Sequence, residues 1–169
     1  APGSKEEGTT QANADSPLGV ERTSEYIALV ARGNYLAPDR PDIAYAVKEL
    51  AKKMNTPTEG DWSRLEHLAR YLKGRPRMVH NFCWQDANDI LTIYTDADWA
   101  GDKESRKSTT GGCILHGKHL LKIWAKTQAL IALSSGESEF YAAIKASAEG
   151  LGMRSVAEDL GLHLRGEVW

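Results

Sequence analysis

Tyr94-Thr95-Asp96-Ala97-Asp98-Trp99-Ala100-Gly101-Asp102 is the stretch whose reading decides the fold. It continues Ile90-Leu91-Thr92-Ile93, so a run of β-branched and aromatic residues, read as a strand from Ile90 to Asp96, ends on a carboxylate. A carboxylate at the mouth of a central strand stands on a rigid backbone in a concave place. Its oxygens suit a hard cation such as Mg2+, which takes oxygen ligands and keeps several waters. Asp98 lies two residues on and faces the same way if the strand continues. By itself this Asp-x-Asp fits both metal binding and the capping of a turn.

The flanking pattern extends the sheet. Met78 to Trp84 reads as a strand and Asp86 to Asp89 as a turn. Gly111 to Leu115 and Leu120 to Trp124 read as two further strands, joined by His116-Gly117-Lys118 into a hairpin. A long helix then starts at Ser134, where Ser134 and Glu137 have the spacing of a capping box. Phe140, Ala143, Ile144, Ser147 and Leu151 are expected on its inner face, and Gly150 and Gly152 are expected to break it, with Ser155 to Leu160 a further turn or two. Small residues after Phe140-Tyr141 would let this helix lie close to a sheet. Glu139 sits on its first turn, about 200° round from Glu137, so the two cannot share a role. Leu162 to Trp169 begins another strand.

Upstream the periodicity is helical. Residues 1–22 are rich in Gly, Ser, Thr, Ala and Glu and read as a disordered lead-in. Ser24 to Leu36 forms a first helix with Tyr26, Leu29, Val30 and Tyr35 as core contacts. A second follows Pro38, with Asp39 as its cap, Pro41 in its first turn, and Ile43, Val47, Leu50 and Met54 on one face. A third runs from a Thr58 cap to Lys73, with Trp62, Leu65, Leu68, Ala69 and Leu72 as its stripe. The expected organisation is a lead-in over 1–22, a helical segment over 23–76 and a strand-rich domain over 77–169.

The 169 residues carry a net charge of −2, which does not mark a strongly basic nucleic-acid binder. The distribution is uneven. One basic stretch runs from Lys48 to Arg77, a second from Lys103 to Lys126, and the C-terminal part is acidic. Such an arrangement suits a protein that holds a phosphate backbone near carboxylates, and equally suits solvated helix and hairpin faces. Lys103, Arg106 and Lys107 with Ser108, Thr109 and Thr110 form a polar turn that could contact phosphates. Trp99 and Trp124 fit the core better than a stacking platform, and His116 and His119 lack a spaced metal-binding partner. Cys83 and Cys113 form no C-x-x-C pair, so the sequence indicates neither a zinc site nor a disulfide framework. No apolar run approaches the ~20 residues of a bilayer span, and the N-terminus lacks the pattern of a signal peptide. A cytosolic or nuclear location is the expectation.

Three motifs in order carry a resemblance. Tyr94 to Asp102, then Arg106-Lys107-Ser108-Thr109-Thr110-Gly111, then Ala132-Leu133-Ser134-Ser135-Gly136-Glu137-Ser138-Glu139-Phe140-Tyr141-Ala142-Ala143 resemble the ribonuclease H domain of copia-type retrotransposon Pol polyproteins. Arg40-Pro41-Asp42-Ile43-Ala44-Tyr45-Ala46-Val47 and Leu68-Ala69-Arg70-Tyr71-Leu72-Lys73-Gly74 resemble the segment linking reverse transcriptase to that domain. The resemblance spans roughly residues 23–169. It implies an α/β, ribonuclease H-like mixed sheet: three antiparallel strands, a helix, then a fourth strand parallel to the first. It also implies cleavage of the RNA strand of an RNA–DNA hybrid, with two Mg2+ ions held by four acidic residues. By motif, Asp96 matches the first-strand acid and Glu139 the first-helix acid, while Asp98 matches a recurrent residue outside the core ligands. The implied partners are the hybrid and the reverse transcriptase region of the same polyprotein.

The chain departs from that pattern at its end. In the family the third acid follows the fourth strand, which Arg165-Gly166-Glu167-Val168-Trp169 resembles, and the fourth lies later still. The expectation is therefore an incomplete site with weak metal occupancy and little hydrolysis. A non-catalytic module that binds hybrid or another partner is the alternative. A transposase or integrase core of related fold is a third reading, which lacks the Glu139-type residue and the helical lead-in.

Overall fold

In the computed structural model, which describes residues 14–169, the apolar periodicity of the first half closes on itself. Helices α1 (Val20–Leu36), α2 (Pro41–Lys52) and α3 (Glu59–Gly74) turn Tyr26, Val30, Ile43, Val47, Leu50, Leu65 and Leu68 into one core. The Tyr26 hydroxyl is buried there and donates to Leu50 O at 2.8 Å. Arg40 is buried too. Its guanidinium grips Asp42 through two hydrogen bonds of 2.8 and 2.9 Å and donates to Arg75 O at 3.0 Å, at the carbonyl end of α3. That pairing holds the Asp42 carboxyl below the usual carboxylate range.

Several helix ends differ from expectation. Asp39 does not cap α2; it lies in a 3-10 turn, Ala37–Asp39, and Arg40 occupies the cap position without a side-chain cap bond. Thr58 does cap α3, and Asp61 completes a full capping box that the sequence reading passed over. Tyr35 is 84% exposed rather than a core contact, and Ala69 is exposed as well. The expected lead-in lies outside the described residues up to residue 13. Beyond that it is ordered, because Leu18 joins the core and its N–H donates to Pro57 O at 3.0 Å.

The chain divides into two compact units, the first ending at Val79 and the second spanning His80–Trp169. The second unit is a four-stranded mixed sheet with one long helix on it. Strands β1 (Ile90–Asp98), β2 (Thr109–His116), β3 (His119–Thr127) and β4 (Arg165–Val168) lie in the order β3-β2-β1-β4. β1 is antiparallel to β2, β2 is antiparallel to β3, and β4 is parallel to β1. This is the α/β arrangement that the family resemblance implies. Gly117, with φ +59°, turns the β2–β3 hairpin in a conformation that favours glycine.

Helix α4 (Ser135–Asp159) crosses from β3 to β4 and runs unbroken through Gly150 and Gly152, against expectation. Its inner face also differs. Ser138, Ala142, Ala146 and Gly150 are buried, whereas Phe140, Ile144 and Leu151 point outward at 63%, 50% and 55% exposure. Packing explains both differences. The buried residues recur every four positions, and their small size lets the helix backbone approach the sheet. A Cβ on Gly150 would stand 2.9 Å from Ile93 Cδ1, while one on Gly152 would meet nothing. Glu149 adds an ion pair to Lys122 of β3 and another to Lys145, which hold its carboxyl below the usual range.

Met78 to Trp84 forms no strand. Val79, Phe82 and Trp84 are exposed, so no alternating face is buried. The stretch 83–88 is held by side-chain bonds to the hairpin instead of a backbone ladder. Gln85 Nε2 donates to His116 O at 3.0 Å, His116 Nε2 lies 2.6 Å from Asn88 O, and His119 Nε2 lies 2.8 Å from Cys83 O.

The two glycines of α4 should respond oppositely to substitution. Gly150→Val is expected to destabilise the chain by about 1–3 kcal/mol through overpacking against Ile93. Gly152→Ala is expected to stabilise it by about 0.5–1 kcal/mol through helix propensity. Urea unfolding midpoints of the two variants check this, and a Gly150→Val chain as stable as the parent would contradict the close contact.

Candidate metal and nucleic-acid site

The C-terminal end of β1 gathers the sequence-expected residues. Thr95 is fixed from two sides, its hydroxyl lying 3.0 Å from Gly111 O on β2 and 3.4 Å from Ala142 O on α4. Along the other edge of β1, Trp169 N donates to Ile93 O at 2.8 Å and Thr95 N donates to Trp169 O at 3.1 Å. The next N–H on that edge belongs to Ala97, and it goes to Glu139 Oε1 at 3.4 Å. Glu139 therefore reaches from the first turn of α4 to the strand edge at the residue next to Asp96.

Asp96 is exposed and stands opposite Gly111 in the β1–β2 ladder. Strand alternation puts Thr95 on the helix side and Asp96 on the other. An ion shared by Asp96 and Glu139 would thus sit at the strand edge. Both groups are exposed carboxylates, a donor set that fits a hard cation keeping most of its waters. Among the described residues no three His, Cys, Asp or Glu side chains converge as a metal site. The carboxyl of Asp98 lies against Gly101, in the space a Cβ there would need.

Glu137, expected as the capping-box partner, fills half that role. Ser134 Oγ accepts from Glu137 N at 3.1 Å, but the Glu137 carboxylate takes Leu133 N at 2.7 Å and the Tyr141 hydroxyl at 3.0 Å. The division of labour between the two glutamates stands: Glu137 builds the helix start, and Glu139 is turned to the sheet. The positive end of the helix dipole favours both charges.

The turn after β1 lies at the same end of the sheet. Asp102 Oδ1 receives Glu104 N and Ser105 N at 3.1 and 3.2 Å, and Arg106 takes a positive φ of 58°. This ordered turn leaves Lys103 and Arg106 exposed and Lys107 half-buried. Thr109 pairs with Asp98 and Thr127 in the ladders. Ser108 is a correction to the proposed contact set. It is wholly buried, its hydroxyl accepts from Ala100 N at 3.1 Å, and its carbonyl accepts from Gln128 N at 2.8 Å. It shapes the turn rather than presenting a surface.

Trp124 packs against the core of the sheet unit and lies over Gly112, as a core residue should. Trp99 is half exposed, with its indole N–H donating to Ala132 O at 3.1 Å. Thr110, expected in the polar turn, is buried on β2, and Gln128 and Ser138 are further buried polar residues that the sequence did not mark. The one available signal was a glutamine set between a strand and a capped helix, which does not announce burial.

Ser108→Ala is expected to cost about 1–3 kcal/mol of stability by orphaning Ala100 N–H. Hydrogen exchange at the Ala100 amide should quicken in the folded variant. Unchanged stability and unchanged exchange would contradict the buried contact.

No family model matches the chain, and no solved structure matches it at a significant level. Curated proteins do. It is 37% identical over 142 residues to the retrovirus-related Pol polyprotein from transposon RE1 of Arabidopsis thaliana, covering 83% of this chain and 10% of that protein. It is 35% identical over 124 residues to the Pol polyprotein from transposon TNT 1-94 of Nicotiana tabacum, covering 73% of this chain and 9% of that one. It is also 35% identical over 127 residues to the secreted RxLR effector protein 161 of Plasmopara viticola, covering 75% of this chain and 89% of that shorter protein. The chain spans about a tenth of the polyproteins' length. Over most of its residues the chain is thus a relative of one segment of the Pol polyproteins of copia-type retrotransposons.

Proposed function

We propose that residues 80–169 are the ribonuclease H-like segment of such a polyprotein, acting on the RNA strand of an RNA–DNA hybrid. The observation that carries this reading is the Glu139 contact to Ala97 N–H, which brings the helix carboxylate to the strand edge beside Asp96. Asp96 and Glu139 would hold Mg2+ there. When bound, the ion supplies Lewis-acid polarisation of a phosphate oxygen and a more acidic water. The protein's own part is orientation: β1 fixes Asp96, and the close seat of α4 fixes Glu139. Lys103 and Arg106 would meet the phosphate backbone, and the hybrid would be recognised through backbone shape and the 2′-hydroxyl rather than base identity. The helical unit up to Val79 is the counterpart of the connection to reverse transcriptase. The family pattern calls for two ions and four acids.

Binding without appreciable cleavage is the second reading. It is favoured by the absence, among the described residues, of a third metal-capable side chain at the pair. Two carboxylates offset little of the charge of two divalent cations. Cleavage by this chain is therefore expected to be slow.

A labelled RNA–DNA hybrid tests the proposal. The expected result is hybrid binding that weakens with salt, together with slow Mg2+-dependent cuts in the RNA strand. Asp96→Asn should reduce those cuts by at least the roughly 10–100-fold that loss of an outer-shell partner costs a metal site. Equal cutting by parent and Asp96→Asn would overturn the catalytic assignment. Salt-dependent binding with no Mg2+-dependent cuts would select the binding reading.

A further inference from the structure

We propose that Gln128 is the positioning residue of the carboxylate pair, holding the first turn of α4 so that Glu139 meets β1 beside Asp96. This rests on the reading of Asp96 and Glu139 as a metal-binding pair. Gln128 follows β3 and is buried. Its side-chain amide donates twice, to Thr110 Oγ1 on β2 at 3.0 Å and to Ser138 O on α4 at 2.9 Å. Its own N–H donates to Ser108 O at 2.8 Å. One side chain therefore ties the sheet to the carbonyl of the residue just before Glu139.

The chemistry of the contact explains the choice of residue. Ser138 O lies within the helix, and a carbonyl oxygen has a second lone pair beside its helical bond, which only a donor can engage. A carboxamide supplies two N–H donors from one nitrogen and can bridge helix and sheet at once. Burial raises the stakes, since a lost partner leaves polar groups without solvent. The same network continues through Ser108 Oγ to Ala100 N, in the turn that follows Asp96 and Asp98. Gln128 thus joins the segment carrying Glu139 to the segment following Asp96. Gln128 Oε1 is buried without a protein partner, so its acceptor side adds nothing to the tether and the donor side carries it.

The test follows the Ala97 amide by 15N NMR, with Glu139→Gln as the change in its acceptor. In the parent chain Glu139→Gln should move the Ala97 amide resonance, and that response reports the contact. Gln128→Met, of similar length but without donors, is expected to remove the response while the β1–β2 amides keep their shifts. It should also weaken Mn2+ binding by about tenfold, as loss of ligand support does. Retention of both the Ala97 response and the Mn2+ affinity in Gln128→Met would overturn the proposal. If that variant does not fold, exchange of the Gln128 side-chain amide in the parent decides: slowed exchange supports the tether, free exchange contradicts it. A parent that binds no Mn2+ yet shows the Ala97 response would defeat the metal reading and leave the tether standing.

Discussion

The sheet unit depends on how closely α4 lies on β1. Ser138, Ala142, Ala146 and Gly150 give the helix a narrow face, and a Cβ on Gly150 would stand only 2.9 Å from Ile93 Cδ1. Larger side chains on that face would lift the helix, and Glu139 would rise with it. The contact between Ala142 O and the Thr95 hydroxyl lies one helical turn below the contact between Glu139 and Ala97 N–H. Site geometry is thus a by-product of helix–sheet packing. Asp96 stands on a strand and Glu139 on a helix, and rigid elements best hold a constellation of side chains.

Around that contact the molecule separates structure from surface. At the site end Ser108 is paired with Ala100, and the Gln128 side-chain N–H groups with Thr110 and Ser138, while Gln128 Oε1 has no protein partner. Such groups are costly when unpaired and specifying when paired. The cations Lys103 and Arg106 remain outside this network and exposed. A polyanion approaching the end of β1 would meet them without disturbing the tether beneath.

Much of this was legible in the sequence, for identifiable reasons. Strand β1 was clear because Ile, Thr and Tyr crowd before an acid, and the hairpin was clear because Gly117 marks its turn. Glu139 could be separated from Glu137 by helical geometry alone. The inner face of α4 was misjudged because apolar size was taken as the sign of burial. Here small residues are buried for close approach, and Phe140, Ile144 and Leu151 are left outside. Met78 to Trp84 looked like a strand by composition, but the stretch following it anchors through Gln85, His116 and His119 rather than through a ladder. Gln128 was invisible because its role depends on three partners distant in sequence.

The central claim is that Asp96 and Glu139 form one cation site at the edge of β1. Paramagnetic broadening of backbone amides by substoichiometric Mn2+ tests it most directly. The account predicts that the amides of Ala97, Glu139 and Phe140 broaden first, and that Glu139→Gln suppresses the effect. Broadening that begins instead around Glu149 or Glu167, with Ala97 and Glu139 left sharp, would contradict it.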